Sequence, residues 1–115
     1  MGPHPIEQVD VDGGGLWLKE RVYWPTDIAT LGRAEDNDVV VKGNLISRVH
    51  ARIESSRDKF TLIDESTNGT FVQTSSGEEI FVRRDRAPLT GEGVIGLGRV
   101  AQPGTALAVH YVIEE

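Results

Sequence analysis

His50-Ala51-Arg52-Ile53-Glu54, a polar connection through Ser55 to Lys59, then Phe60-Thr61-Leu62-Ile63-Asp64: this stretch decides the fold. Small or apolar residues alternate with polar ones at a period of two, the repeat of a half-buried strand. Two such runs joined by a short polar segment read as a hairpin. The same grammar continues on both sides. Upstream, Val39-Val40-Val41 is β-branched and is stopped by Gly43 and Asn44. Such side chains pack well on a pleated surface and lose rotamer freedom in a helix. Before it come Ile28 to Leu31, stopped by Gly32, and the short runs Val22 to Trp24 and Leu16 to Leu18, with Pro25-Thr26-Asp27 as a turn.

Downstream, Thr70-Phe71-Val72 follows Asn68-Gly69 directly, and Glu79 to Val82 is next. Val94-Ile95 and Leu97 sit among Gly91, Gly93, Gly96 and Gly98, and Ala106 to Ile113 closes the chain after the Pro103-Gly104 turn. Runs at intervals of about ten residues predict an all-β fold, a two-sheet β-sandwich or a barrel, and the loops of a sandwich gather at its two ends. No window sustains helical periodicity; a short helix near Arg83 to Ala87 is weighed, but the charge there favours a loop. Candidate core residues are Leu18, Val22, Ile28, Leu31, Val39, Val41, Ile46, Ala51, Ile53, Phe60, Leu62, Phe71, Ile80, Val82, Leu89, Ile95, Leu97, Leu107, Val109, Tyr111 and Ile113.

Composition bounds the function. The 115 residues suit one domain, with residues 1–12 read as a flexible leader and 13–115 as the folded unit. Twelve Lys plus Arg against eighteen Asp plus Glu give a net charge of −6, which argues against general nucleic-acid binding. No cysteine is present, so disulfides, thiol catalysis and thiolate metal sites are excluded. That is compatible with a reducing compartment, and a cytoplasmic setting is expected. No apolar run suggests a membrane span, so no membrane partner is expected. His4, His50 and His110 form no spaced metal motif, and the acids match no calcium loop, so neither metal nor cofactor is expected. The glycines around Gly93 precede no helix and are not a nucleotide fingerprint.

The strand boundaries carry the chemistry. Gly32-Arg33, Asn37-Asp38, Ser47-Arg48-Val49-His50 and Ser66-Thr67-Asn68-Gly69-Thr70 each lie at an expected turn. Each has an ordinary reading alone. Arg33 makes a surface ion pair with Glu35 or Asp36, Asn37-Asp38 caps a turn, Asn68-Gly69 forms one, and His50 is a buried loop brace. Taken together, Arg33 and Arg48 offer guanidinium forks, Ser47 a hydroxyl, and Thr67 and Asn68 neutral donors, with Gly69 permitting a tight turn. That set suits a small fixed dianion. Ser47 and His50, three residues apart in extended chain, point to opposite sides, so a nucleophile–base pair is disfavoured and no enzyme is expected.

The blocks Leu31-Gly32-Arg33, Asn37-Asp38-Val39-Val40-Val41, Ile46-Ser47-Arg48-Val49-His50-Ala51, Leu62-Ile63-Asp64 and Ser66-Thr67-Asn68-Gly69-Thr70-Phe71-Val72 stand in one order and spacing. In this the chain resembles the forkhead-associated (FHA) domain, a phosphothreonine-recognition module. The resemblance runs from Leu16 to Ile113. It implies an eleven-stranded two-sheet β-sandwich with functional loops at one end, in which Arg33, Ser47 and Arg48 contact phosphate, Thr67 lines the niche for the phosphothreonine methyl, and Asn68 holds the peptide backbone. Gly32, His50 and Gly69 match loop-shaping positions. Arg99, before the last strand, is a possible specificity residue that favours an acidic side chain three residues after the phosphothreonine. The implied partner is a phosphothreonine-containing protein, in cis or in trans. The alternative is a domain that packs on its parent chain or a neighbour without reading phosphate. Two stretches depart from the family: Gln73-Thr74-Ser75-Ser76-Gly77 replaces a second Asn-Gly turn with an expected looser one, and Gly93 replaces a polar residue in Leu89-Thr90-Gly91-Glu92-Gly93-Val94-Ile95.

Overall fold

The computed structural model of the protein describes residues 16–19, 21–23, 28–56 and 59–113. They form eleven strands: β1 (Leu16–Leu18), β2 (Arg21–Tyr23), β3 (Ala29–Gly32), β4 (Val39–Val40), β5 (Ala51–Ser56), β6 (Lys59–Asp64), β7 (Thr70–Thr74), β8 (Glu79–Val82), β9 (Arg86–Leu89), β10 (Glu92–Leu97) and β11 (Ala108–Ile113). One sheet runs β2-β1-β11-β10-β7-β8 and the other β4-β3-β5-β6-β9. All pairings are antiparallel except β3 with β4. The two sheets enclose one principal core, to which Leu31, Ile53, Phe60 and Leu62 contribute from one sheet and Leu16, Leu18, Ile95, Val109 and Tyr111 from the other. Tyr111, although buried, keeps its hydroxyl satisfied by donating to the Thr90 carbonyl at 3.1 Å.

The β5–β6 ladder extends further than the alternation suggests. Ser55 pairs with Phe60 and Ser56 with Lys59, so most of the expected connection is strand. The Pro25-Thr26-Asp27 turn, the leader at 1–12 and the core position expected at Val22 lie outside the residues or side chains described.

Other expectations need correction. The segment read as a loop or short helix around Arg83 to Ala87 contains the start of β9, which pairs with β6 from Phe60↔Leu89 to Ile63↔Arg86. Its apolar signal is faint because it is an edge strand, with Arg86 and Pro88 exposed. Proline has no N–H to give a ladder and is tolerated at such an edge. Ile28 precedes β3 and is 56% exposed, so it is no core residue. Ile80, Leu107 and Ile113 are half-buried and pack against the core as expected, Phe71 is half-buried outside it, and Leu16 and Ile63 join the buried set. Strand β11 starts at Ala108, two residues later than expected. The β7–β8 turn (75–78) is closed rather than loose: Thr74 N–H donates to the Glu78 carbonyl at 2.9 Å and Glu78 N–H to Thr74 Oγ1 at 3.0 Å.

Truncating Ile95, fully buried between the sheets, to Ala is expected to destabilise the domain by about 2–5 kcal/mol. Ile28→Ala is expected to cost less than about 0.5 kcal/mol. Urea unfolding of both variants checks the corrected core.

Candidate functional site

Four connections meet at one end of the sandwich: 33–38, 41–50, 65–69 and 98–107. The first two continue the β3–β5 ladder past the strands. Arg33 N–H donates to the Ser47 carbonyl at 2.9 Å, Ala34 N–H to the Arg48 carbonyl at 3.1 Å, and His50 N–H to the Leu31 carbonyl at 2.8 Å. This closeness requires Gly32, where a Cβ would lie 2.3 Å from the Arg48 oxygen and 2.9 Å from His50 N. Asn37 caps its own turn by donating from Nδ2 to the Ala34 carbonyl at 2.8 Å. The same amide also donates to the Arg48 carbonyl at 2.7 Å.

Beneath these loops His50 is fully buried. Its Nδ1 accepts from Ser47 N–H at 3.0 Å, so Nε2 carries the hydrogen and donates to the Gly69 carbonyl at 2.7 Å. The Gly69 carbonyl also accepts from Gly98 N–H at 2.9 Å. One ring and one carbonyl thus join three of the four loops. Burial lowers the His50 pKa below its usual value, outweighing the Gly69 bond and the Asp64 charge, which act the other way. Gly69 has φ +90°, and a Cβ there would come within 2.4 Å of the Phe81 ring. Gly98 has φ +83° and lies as closely against the Leu45 backbone.

Asp64 holds the 65–69 loop from below. Its Oδ1 accepts from Thr70 Oγ1 at 2.6 Å and Ser66 Oγ at 2.8 Å; its Oδ2 accepts from Arg84 N–H at 2.9 Å and Ser66 N–H at 3.0 Å. Burial alone would raise its pKa, but these bonds together hold it below the ordinary carboxylate value. Ser66 Oγ in turn accepts from Gly69 N–H at 2.7 Å. The roles of Asp64 and Ser66, and the second bond of Asn37, were not read from sequence. The only available signal was an acid ending an apolar strand two residues before a serine, a common turn pattern.

Above this frame lie the side chains singled out for chemistry. Arg33 is exposed, and its Nε donates to the Ile46 carbonyl at 3.0 Å. It makes no ion pair with Glu35, which Lys42 takes at 2.7 Å. Ser47 is half-buried and its Oγ accepts from Thr67 N–H at 3.3 Å. Asn68 is exposed and donates from Nδ2 to the Leu45 carbonyl at 3.0 Å. Arg33, Ser47, Thr67 and Asn68 are therefore tied to one loop segment, 45–47, which Arg48 follows. Among the described residues, neither the Arg33 nor the Arg48 guanidinium has a carboxylate partner. Arg99 is exposed and lines a recess of about 240 Å³ with Leu45, Ile46, Leu97 and Leu107. A larger recess of about 1070 Å³ crosses β7, β10 and β11 and shares no residue with this set. No group of three or more metal-ligating side chains gathers among the described residues. The Arg33 guanidinium, committed only through Nε, thus stands on a loop segment shared with a hydroxyl and an amide, and Arg48 adds a second cation next in the chain; groups of these types are suited to an anion.

Comparisons with known proteins follow the same outline. The family model described as FHA domain matches residues 29–98. The FHA-1 domain of Rv1747 from Mycobacterium tuberculosis is similar at a TM-score of 0.66 and 20% identity, over 89% of this chain and 98% of that one. An FHA domain of an Arabidopsis thaliana hypothetical protein gives 0.63 and 23%, over 87% and 84%. The N-terminal FHA domain of S. cerevisiae Rad53p, solved with a phosphothreonine peptide, gives 0.52 and 22%, over 76% and 66%. No curated protein matches the sequence.

The buried pair sets an acid limit. The unfolded chain protonates its histidine near 6.5, above the lowered value in the fold, so it takes up that proton first as pH falls. Stability is expected to be fully present above about 6.5 and to decline below it, with a further loss below about 3.8 as Asp64 is protonated through its lowered value. Urea midpoints at about pH 8, 7, 6 and 5 check this, and His50→Gln, which does not titrate, is expected to flatten the decline between about 7 and 5. His50→Ala leaves the Ser47 N–H without its acceptor, while the Gly69 carbonyl keeps the Gly98 N–H, and is expected to cost about 1–3 kcal/mol for the donor left without a partner.

Proposed function

The chain belongs to the FHA-domain family, a family of non-catalytic modules for protein–protein interaction through phosphothreonine, and we propose that it reads a phosphothreonine segment of a signalling partner through Arg33, Ser47, Arg48, Thr67 and Asn68. The observation that carries this reading is the pair of exposed guanidinium groups, unneutralised among the described residues, on backbone pinned to the loop of Thr67 and Asn68. In it, Arg33 and Arg48 make charge-assisted bonds to the phosphate, each about twice a neutral bond in strength, and Ser47 adds a hydroxyl. Thr67 meets the phosphothreonine methyl. Asn68 has one amide N–H on Leu45 and keeps its carbonyl and second N–H for the peptide backbone. Gly32, His50 and Gly69 hold the loops and touch no ligand.

The phosphate carries about 1.5–2 negative charges and a hydroxyl none, so the unmodified peptide leaves both arginines facing water. The apolar surface agrees with a protein partner: Leu45, Val49 and Val100 are exposed on these same loops, and Phe81 is exposed against Gly69. The partner is bound in cis or in trans. We assign a cytoplasmic setting, since a chain without cysteine needs no oxidising compartment. Arg99, at its recess, favours an acidic side chain three residues after the phosphothreonine.

An oriented phosphothreonine library identifies a binding peptide and reads the preference at Arg99. Titration of that peptide as phosphothreonine, phosphoserine and unmodified threonine then tests the site. Phosphothreonine is expected to bind tightest, the unmodified form not measurably, and an Asp substitute barely. Arg33→Ala is expected to weaken binding by at least about thirtyfold with an unchanged urea midpoint. Equal affinity with and without phosphate would instead support a domain that packs independently of phosphorylation.

A further inference from the structure

The β8–β9 turn, residues 83–85, reaches the same end of the molecule and has no part in the reading above. It begins with two arginines, and both grip the 65–69 loop. Arg83 donates from Nε to the Thr67 carbonyl at 2.9 Å, and Arg84 donates from Nε to the Ser66 carbonyl at 3.1 Å. Arg84 takes φ 52°, in the left-handed region, which is unfavourable for a residue with a side chain. That conformation is held by its N–H bond to the buried Asp64. The guanidinium positions are therefore set by the same carboxylate that sets the Thr67–Asn68 loop.

Holding the loop uses only part of each fork. A guanidinium has five N–H groups, and each of these commits its Nε alone. Both side chains are exposed, and neither forms an ion pair among the described residues. Arg84 lines a recess with Asp64, Glu65 and Asp85, whereas Arg83 does not line it and is fixed against the backbone of Thr67 with its terminal N–H groups unused among the described residues. An anion on a neighbouring segment would meet that fork directly.

We propose that Arg83, supported by Arg84, forms a second anion subsite that reads an acidic group on the bound segment within about three residues of its phosphothreonine, at about 3.3 Å per extended residue. The inference rests on the phosphothreonine reading, because Thr67 both anchors Arg83 and flanks the phosphothreonine in it. The ligand chemistry is a peptide carboxylate or a second phosphate. An arginine is suited to it because its planar fork, once fixed by one bond, presents the remaining N–H groups in set directions.

Calorimetric titrations test it with a phosphothreonine peptide chosen from the library and versions in which a flanking position is Glu, Gln or phosphoserine, scanned over three residues on each side. At one position Glu is expected to bind about fivefold tighter than Gln, and Arg83→Ala is expected to bring that Glu-to-Gln ratio to about one, whatever the lost Thr67 bond does to the affinity of both peptides. Arg83→Lys, which keeps charge without the anchored fork, is expected to retain part of the Glu preference. A phosphoserine gain above that of Glu assigns the subsite to a second phosphate; an equal gain assigns it to a carboxylate. If Arg83→Ala weakens the Glu and Gln peptides equally, Arg83 only props the loop and the proposal is overturned. It is likewise overturned if no flanking acid matters while phosphothreonine is still required. Loss of the phosphate requirement itself would overturn the parent reading instead, a separable outcome.

Discussion

The Gly69 carbonyl is the point on which the loop end depends. It takes the His50 Nε2 hydrogen from one loop and the Gly98 N–H from another, while its own residue is held by Ser66. A buried carbonyl with both acceptor sites filled cannot shift without stranding a donor, and each stranded donor costs about 1–3 kcal/mol. The loops around it therefore inherit the rigidity of the sheets. Asp64 repeats the device one layer lower with four donors. Rigid presentation matters because affinity gained at the phosphate would otherwise be spent on ordering the loops.

Charge is distributed to the same effect. The body is acidic, and Arg33, Arg48, Arg83, Arg84 and Arg99 stand on connections of one end together with Glu35, Asp36, Asp38, Glu65 and Asp85. Lys42 takes Glu35 and Arg52 takes Glu65, and at physiological salt fields are screened beyond about 8 Å, so a ligand docked there meets these local charges and little of the rest of the acidic body. The approach of an acidic partner is slowed by the body as a whole, and the bound state is not. Lys42 contributes by taking Glu35 and the Arg33 carbonyl, which leaves the Arg33 guanidinium uncompensated.

Much of the architecture was legible because β5, β6, β10 and β11 are long enough to display their alternation. The edge strand β9 was not. It buries Leu89 but Ala87 only partly, and its proline and arginine imitate a loop. Ile28 misled for the opposite reason: an apolar residue beside a strand is read as part of it, although the ladder begins one residue later. At the site, Arg33, Ser47 and Asn68 could be grouped from sequence as donors of one set, but not the bonds that tie their loops. Those run between residues 13 to 23 positions apart, such as Arg33 to Ile46 and Asn68 to Leu45. Asp64 escaped notice because a strand-ending acid looks the same whether it faces water or four donors. Arg83 and Arg84 fall in the stretch whose charge reads as a loop, and nothing in that reading places them on Thr67 and Ser66.

The β7–β8 turn has a practical use. Strand β7 leaves the loop end at Thr70 and β8 returns to it at Val82, so Ser76 stands at the opposite end of the sandwich, exposed on a closed turn. Since the chain has no thiol of its own, Ser76→Cys would supply a unique handle for a dye, a bead or a sensor surface. Molecules immobilised through it would all stand with their arginine-bearing face toward the solution.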